Sequence, residues 1–227
     1  MNRRLWAVLA AFLVLAGIRA AGRTAQQPTV VEFPGPRVRG GLSLNEALSR
    51  RRSSREFSPA KLTLPDLGQL LWAGQGITHG RGGRTSPSAG ALYPLDIVVV
   101  AGGVEGLGPG VYRYLPMRHA LAALLQGDRR EALCSAALHQ PWVKSAPVLL
   151  VFTAVPSRTT GKYGERGVRY LGIEAGCAAQ NAMLEASALG LGSCAVGAFD
   201  DAAVARQLGL ASGETPLLIV PVGRPSS

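Results

Sequence analysis

GVRYLGIEAGCAAQNAMLEASALGLGSCAVGAF, the stretch from Gly167 to Phe199, decides the fold of this chain. Its apolar and small residues recur three or four positions apart, which is the period of one face of an α-helix. They are Val168, Leu171, Ala175, Ala178, Ala182, Ala186 and Leu189. Because most of them are alanine, this face is narrow and allows another helix or a flat ligand to come close. We therefore expect a long, closely packed helix.

Glycines end this helix and lead into a strand. Gly190 favours the left-handed backbone that commonly terminates helices, and the apolar run Cys194–Val196 predicts a short strand that ends at Gly197. A long helix followed by a glycine-bounded strand suits the presentation of backbone atoms to a ligand. The alternative is a core helix and a core strand, and this stretch alone favours that alternative.

The N-terminal residues predict a targeting segment. Arg3 and Arg4 precede an uncharged apolar run from Leu5 to Ile18, and small alanines follow, which is typical of a secretory signal peptide. We expect residues 1–25 to be a signal peptide, or an N-terminal anchor where it is not cleaved. The protein is then exported to a periplasmic or extracytoplasmic location, with no stable membrane association beyond this segment.

A linker and one domain make up the rest of the chain. Residues 26–41 contain three prolines and end in Gly40-Gly41, so we expect them to be extended and poorly packed. Residues 42–227 have the length and the apolar content of a single domain with its own hydrophobic core.

Composition excludes several classes of protein. The formal net charge is +10, but much of it lies in the N-terminal segment and the linker, and no nucleic-acid motif accompanies it. We expect no nucleic-acid partner, while a basic protein that binds anions or a membrane surface remains an alternative based on charge alone. The three cysteines lack CxxC spacing and the three histidines are scattered, so neither a disulfide framework nor a metal site is expected.

Two short motifs favour ligand binding. In RRSSREF, residues 51–57, Arg51 and Arg55 can converge at a helix end and Ser53 can add a hydroxyl, which suits a phosphate. The alternative is a solvated basic helix end. The segment Pro87–Gly90 predicts a tight turn whose backbone amides can face a ligand closely, and its alternative is an ordinary loop.

The remaining pattern predicts the elements that enclose the core. A serine and a glutamate at Ser43 and Glu46 form a capping box that starts the first helix. Further helices are predicted to begin at Thr63, Asp128 and Asp200, the second of them reaching His139. Strands are predicted at Leu95–Ala101, Gly110–Leu115, His119–Leu125, Ala146–Val155 and Pro216–Val222, and loops at His79–Ser88 and Pro156–Glu165.

Taken together, these segments resemble the nitroreductase superfamily of FMN proteins, and more closely its SagB-type branch of azoline-oxidising dehydrogenases. The resemblance covers residues 39–225 and comprises six segments in the family's order. They are SLNEALSRRRSSREF (43–57), SPSAGALYPLDIVVV (86–100), GVYRYLP (110–116) followed by His119, GKYGERGVRY (161–170), EAGCAAQNAMLEASALGLGSCAVGAF (174–199) and PVGRP (221–225).

The resemblance implies an α+β fold, a mostly antiparallel central sheet flanked by helices, and a homodimer with FMN between the subunits. It implies that the FMN phosphate is held by Arg51, Ser53 and Arg55, with Arg52 nearby. The turn Pro87, Ser88, Ala89 and Gly90 matches a loop that reaches flavin from the partner subunit. Val196 and Gly197 match the strand end that meets the ring near N5 and O4, and Arg224 matches a second phosphate or ribityl contact.

Catalysis is implied for Lys162 and Tyr163, which match a Lys-Tyr pair of the azoline-oxidising branch and could move a substrate proton. Without the resemblance, this pair is equally a solvated loop. Two residues depart from the branch, because Cys177 stands where a histidine is common and Val168 replaces an aromatic residue. These departures leave the substrate class open.

We therefore expect an FMN-dependent oxidoreductase of the nitroreductase family that carries out two-electron dehydrogenation or reduction at flavin N5. Its substrate is a small molecule or a peptide, and the alanine-rich helix packs at the seam of the homodimer. The alternatives are a redox-inactive flavin-binding accessory protein and a generic NAD(P)H-dependent nitro or quinone reductase.

Overall fold

The computed structural model describes residues 29–80 and 82–226, so the predicted signal segment, residues 1–25, lies outside the described residues. The helices are α1 (Leu44–Arg50), α2 (Leu64–Gln75), α3 (Arg130–Ala136), α4 (Pro141–Ser145), α5 (Ser157–Tyr163), α6 (Arg166–Ala188) and α7 (Asp201–Leu208). The strands are β1 (Val30–Glu32), β2 (Ile77–His79), β3 (Gly83–Arg84), β4 (Leu95–Ala101), β5 (Gly110–Leu115), β6 (Ala120–Gln126), β7 (Val148–Ala154), β8 (Gly192–Ser193) and β9 (Thr215–Gly223). None of the helices in the described ranges has the length and apolarity that a membrane span requires.

Seven strands form one sheet in the order β1-β6-β5-β4-β7-β9-β8, and each neighbouring pair is antiparallel. The central strands β4 and β7 are the apolar runs LDIVVVA and VLLVFTA, and every residue of β7 is buried. Such continuous apolar strands require cover on both faces of the sheet. The predicted α+β fold with an antiparallel central sheet is confirmed.

Alternate residues of the central strands pack into separate cores on the two faces of the sheet. In β4, Ile97 and Val99 pack with residues of α2 and α6. Val98 and Val100 pack instead with residues of α3, α4 and α7. This division follows from the twofold period of a strand, in which successive side chains point to opposite faces.

The long helix α6 is confirmed, but its alanine face has a different role from the one predicted. Ala175, Ala178, Ala182 and Ala186 are at most 3% exposed and belong to the core that includes α2 and the sheet. The prediction that this face forms a dimer seam is therefore wrong, because the small side chains bring α6 close to its own chain. Among the residues of α6 that stay exposed is Ile173.

Part of the predicted linker belongs to the sheet. Residues 30–32 form the edge strand β1, which pairs with Ala120–Ala122 of β6. The adjacent Phe33 is buried, and its amide donates to the carbonyl of His119 at 3.0 Å. The prediction of poor packing is wrong for these residues. The edge of β6 is free to pair with β1, and the apolar side chain of Phe33 is buried.

Four local predictions also need correction. β8 lies two residues earlier than the predicted strand at Cys194–Val196, and Val196 makes an isolated bridge to Ile219. The predicted loop at residues 156–165 contains α5, which Gly164 ends with a φ of 55°. The predicted loop at residues 79–88 contains part of the β2–β3 hairpin. The helix predicted to reach His139 ends at Ala136 and is followed by α4.

Candidate active site

The basic segment, residues 51–57, follows α1 and runs beside Ser193 in the stretch that follows α6. Ser53 forms a parallel bridge with Ser193, and the amide of Ser54 donates to the Ser193 carbonyl at 2.9 Å. α1 ends at Arg50, so Arg51 is its C-cap residue and Arg55 lies four residues beyond this helix end. Arg55, two residues beyond this bridge, lies close enough to Cys194 for its charge to act on that thiol.

A cavity of about 360 Å³ opens between the basic segment and the C-terminal part of α6. Of the predicted phosphate ligands, Arg51 and Arg52 line it, whereas Ser53 and Arg55 do not. Ser54 and Ser193 line the cavity too, although the sequence offered no signal for them beyond hydroxyls near arginines. Guanidinium groups and hydroxyls are donors suited to the oxygens of a phosphate.

Arg55 is held beside this stretch by an aromatic residue that the sequence analysis missed. Its guanidinium carbon lies 5.3 Å from the ring centroid of Trp142 in α4, within the range of a cation–π contact. Burial raises the pKa of the Cys194 thiol, and the positive charge of Arg55 acts on that pKa in the opposite direction. Arg55 therefore lies close to the start of the predicted flavin-contacting stretch.

The backbone of residues 195–197 has one open side. Val196 exchanges both backbone hydrogen bonds with Ile219, at 2.8 and 3.0 Å, and its side chain is buried. Gly197 is exposed, and a β-carbon built on it would meet nothing closer than Leu218 at 4.0 Å. The chain thus presents a backbone edge with free space next to it.

Arg224 directly follows β9 and lies next to the end of the basic segment, where Phe57 bridges Pro225. It directly follows Gly223, which pairs with Gly192 of β8, and its carbonyl accepts a hydrogen bond from the Ser58 amide at 2.9 Å. Its side chain is exposed. The cavity of about 360 Å³ beside the basic segment, called the basic cavity below, is lined by none of Arg224, Val196 and Gly197.

The predicted turn Pro87–Gly90 is real and tightly constrained. Residues 89–91 form a 3₁₀ turn in which Gly90 has a φ of 62°. The Ser88 hydroxyl accepts a hydrogen bond from the Tyr93 amide at 2.9 Å, which closes the turn on itself. The Ala89 amide donates to a carboxylate oxygen of Glu174 at 2.8 Å, which attaches the turn to α6.

The structure brings Lys162 and Tyr163 to this turn, although about seventy residues separate them in sequence. A β-carbon built on Gly90 would lie 2.7 Å from the Tyr163 hydroxyl and 2.9 Å from Lys162 Nζ. Lys162 Nζ lies 5.3 Å from the centroid of the Tyr163 ring. Tyr163 in turn meets Tyr170 of α6 edge to face, with ring centroids 5.2 Å apart.

A second cavity, of about 280 Å³, lies between the turn and α6. It is lined by Pro87, Ser88, Ala89, Tyr170, Ile173, Glu174 and Cys177. Cys177, one of the departures from the SagB-type pattern, is half-buried in this wall. Within the ranges that the structure describes, no histidine, cysteine, aspartate and glutamate side chains are grouped to hold a metal ion.

The turn and the basic cavity meet α6 at different points along its length. The turn meets it at Glu174, whereas the basic cavity reaches Met183 and Ser187. At the helical rise of about 1.5 Å per residue, Glu174 is roughly 14 Å from Met183 and roughly 20 Å from Ser187. In one chain the candidate site therefore consists of two separate halves.

Comparison with known proteins places the chain among the oxidoreductases. The match to the nitroreductase family spans residues 48–224, which include every predicted cofactor-binding and catalytic position. This chain belongs to the nitroreductase family, and the resemblance seen in its sequence is confirmed.

Three relatives illustrate the similarity. The chain is 44% identical over 183 residues to the predicted nitroreductase MJ1384 of Methanocaldococcus jannaschii, covering 81% of this chain and 91% of that protein. The structure of a predicted nitroreductase from Ralstonia eutropha JMP134 has a TM-score of 0.78 and 32% identity, covering 90% and 92% of the two chains. A chain of the Escherichia coli microcin synthetase McbBCD complex with truncated pro-MccB17 bound has a TM-score of 0.71 and 25% identity, covering 97% and 85%. The third similarity supports the SagB-type branch.

Proposed function

We propose that this protein is an FMN-dependent oxidoreductase of the SagB type that removes hydrogen from a carbon centre. The proposal depends on one observation, the contact of Gly90 with Lys162 and Tyr163. The resemblance assigns the turn to the flavin and the Lys-Tyr pair to catalysis. Two segments distant in sequence, each assigned to the reaction by a different motif of the same family, occupy one place in the fold.

The residues of the candidate site are suited to binding FMN. Arg51 and Arg52 line a cavity with hydroxyl donors, which suits the phosphate, and Arg55 lies next to it with its charge unpaired by any carboxylate in the described ranges. The open backbone edge at 195–197 leaves room for a flat ring. When bound, FMN supplies an acceptor for two electrons, which no side chain can provide.

A homodimer would complete this site, with the turn of one copy facing the flavin of the other. The separation of roughly 14–20 Å between the two halves along α6 supports this arrangement, because one chain does not bring them together. Apolar side chains are also exposed on the helices around them, including Leu44 and Leu48 of α1 and Ile173 of α6. A groove of about 340 Å³ runs beside these helices and is lined mainly by apolar residues.

Lys162 and Tyr163 are proposed to handle the substrate proton. Removal of two hydrogens from a substrate releases a proton as the electron pair leaves, and a positioned side chain that accepts it typically accelerates the step about 10²–10⁴-fold. Tyr163 is half-buried between the turn and Tyr170, whereas Lys162 is exposed at the end of α5. The neighbouring cavity of about 280 Å³ is the proposed place for a small molecule or for one side chain of a peptide.

A generic NAD(P)H-dependent nitro or quinone reductase is the second candidate. It is favoured by Cys177, which lines the proposed substrate cavity where the SagB-type branch often has histidine. The similarity to two predicted nitroreductases is equally compatible with it. A redox-inactive flavin-binding accessory protein is the third, and the Lys-Tyr pair at the turn argues against it.

Export is part of the proposal. It is supported by Arg3 and Arg4 followed by the apolar run to Ile18. N-terminal sequencing of protein from fractionated cells tests it, with a mature end near residues 20–25 expected. An intact Met1 in a soluble cytoplasmic fraction would contradict export.

The proposed function is tested with Lys162→Ala and Tyr163→Phe, and with Lys144→Ala as an exposed lysine on α4, away from the Lys-Tyr pair. All three proteins should bind FMN and show its visible absorbance. The first two should lose about 10²–10⁴-fold in the rate of dehydrogenation at carbon, while quinone reduction and the Lys144→Ala protein should change little. Loss of flavin in both variants would make the pair structural. Unchanged dehydrogenation would favour the generic reductase.

A further inference from the structure

We propose that Glu174 is a positioning residue, which holds the turn Pro87–Gly90 so that Lys162 and Tyr163 are correctly placed. This inference rests on the proposed function, because it concerns the same site. It assigns a role to a carboxylate on α6 that has none in the proposed mechanism. Glu174 acts through the turn and takes no proton itself.

Glu174 is placed for this role by burial and by one directed hydrogen bond. Its residue surface is 5% exposed, and its Oε1 accepts the Ala89 amide at 2.8 Å across 85 residues of sequence. Within the described ranges, no lysine, arginine or histidine forms an ion pair with it. A buried carboxylate without a cationic partner is costly to stability, so the hydrogen bond to the turn is its main compensation.

Asn181 secures the other end of the same loop from the same helix. Its side-chain Nδ2 donates to the Thr85 carbonyl at 3.2 Å and to the Ser86 hydroxyl at 3.1 Å. Ser86 in turn links the loop to α2, because its hydroxyl donates a hydrogen bond to the carbonyl of Gly74 at 2.8 Å. Positions seven apart lie close to one face of a helix, so α6 holds both ends of the loop.

Because Gly90 contacts the Lys-Tyr pair, holding the turn also fixes the positions of these two side chains. Gly90 directly follows Ala89, the residue that Glu174 binds, and a β-carbon there would already overlap the ends of Tyr163 and Lys162. A displacement of the turn toward them by a bond length would push both groups away. A misplacement of about 1 Å in an active site can reduce a rate by about 10²-fold.

Three substitutions of Glu174 distinguish the effect of side-chain length from the effect of charge. Glu174→Gln keeps the length and an acceptor oxygen but removes the charge. Glu174→Asp keeps the charge but withdraws the carboxylate by one methylene, and Glu174→Ala removes the group. Glu185→Ala is the matched control, since Glu185 is a half-buried glutamate of the same helix without a bond to the turn.

The first measurement is amide hydrogen exchange of the peptide spanning residues 85–93 in the purified full-length proteins. Exchange should speed up by about tenfold or more in Glu174→Ala and Glu174→Asp, and stay near that of the unmodified protein in Glu174→Gln and Glu185→Ala. This readout needs neither flavin nor turnover. It therefore decides whether Glu174 holds the turn even if the proposed reaction is wrong.

The second measurement is turnover. Dehydrogenation at carbon should fall about tenfold to a hundredfold in kcat for Glu174→Ala and Glu174→Asp, with quinone reduction unchanged and with rescue in Glu174→Gln. Slowed dehydrogenation without faster exchange would overturn the positioning role, and so would faster exchange with full turnover. A Glu174→Gln protein that behaves like Glu174→Ala would overturn it as well. If Glu174→Ala does not fold, the Asp and Gln variants decide the question alone.

Discussion

Gly90 and Tyr163 are so close that a β-carbon on Gly90 would lie 2.7 Å from the Tyr163 hydroxyl, and the end of the Tyr163 side chain would have to move to admit it. Gly90 also has a φ of 62°, a conformation that glycine adopts without strain. The close contact and the positive φ therefore both favour glycine at this position. The close contact also connects the turn to the residues proposed to move the substrate proton.

Gly90→Ala should fold but lose dehydrogenation activity. The atoms that the new methyl group meets are the mobile ends of Tyr163 and Lys162, so the fold can yield while those ends move. The left-handed conformation costs about 1–2 kcal/mol for alanine. Gly106→Ala is the control, because Gly106 has a φ of 72° with no atom near its β-carbon position. A Gly90→Ala protein with the kcat of the control would contradict the proposed role of the contact.

Arg51→Ala and Arg55→Ala should each weaken FMN binding by roughly tenfold to a hundredfold. A charge-assisted hydrogen bond contributes about 1.5–3 kcal/mol, and Arg51 lines the basic cavity while Arg55 lies beside it. Flavin fluorescence titration of the apoprotein measures the affinity. Arg118→Ala is the control, since Arg118 is an exposed arginine in the β5–β6 turn that pairs with Glu32. Unchanged affinity in both variants would remove these arginines from the cofactor site.

Leu48→Glu should convert a dimer into monomers. Leu48 is 50% exposed on α1, beside the apolar groove proposed to receive the second copy. Burying a carboxylate in an apolar contact is costly. Met117→Glu is the control, because Met117 is 78% exposed in the β5–β6 turn, away from α1 and α6. Light scattering measures the molar mass, and a flavin-loaded monomer of the unmodified protein would contradict the shared site.

The free energy of unfolding should decrease as the pH is lowered, because of His119. Burial lowers the pKa of His119 below its ordinary value of 6.5, with Nδ1 2.9 Å from the Tyr114 hydroxyl and the Phe33 ring 5.2 Å away. The unfolded chain therefore takes up a proton at this residue at a higher pH than the folded chain does. The free energy of unfolding must decrease as the pH falls through 6.5 toward the lower folded pKa, by at most about 1.4 kcal/mol per pH unit.

Chemical denaturation between about pH 7.5 and 5.5 measures this slope, above the range where carboxylates titrate. His119→Gln should have a shallower slope than the unmodified protein, whatever its absolute stability. His139→Gln is the control, since His139 is exposed. Equal slopes for the unmodified protein and His119→Gln would contradict the prediction.

The local elements were predictable wherever short-range chemistry specifies them. The capping box at Ser43 and Glu46 starts α1, and the apolar runs at 95–101 and 148–154 form the central strands β4 and β7. These predictions succeed because a cap and a continuous apolar strand depend on neighbours within a few residues. The Lys-Tyr pair could be selected as a candidate only through the family resemblance, since a lysine and a tyrosine in a polar stretch are common on any surface.

The failed predictions concern partners that are distant in sequence. Val30–Glu32 looked like linker, because its partner β6 lies ninety residues further on. The alanine face of α6 looked like a dimer seam, because periodicity shows that a face is buried without showing what covers it. Trp142, which stacks on Arg55, carried no signal at all in the sequence.

By itself, the sequence determined the family, the long helix, the apolar strands and the set of residues able to bind a phosphate or move a proton. Only the tertiary structure decided which of these meet. It placed Gly90 against Lys162 and Tyr163, attached the turn to Glu174, and separated this contact from the basic cavity by roughly 14–20 Å of helix. The physical reason is that helix caps and hydrophobic periodicity are local properties of the chain. The meeting of distant side chains depends instead on how the elements pack around a shared core.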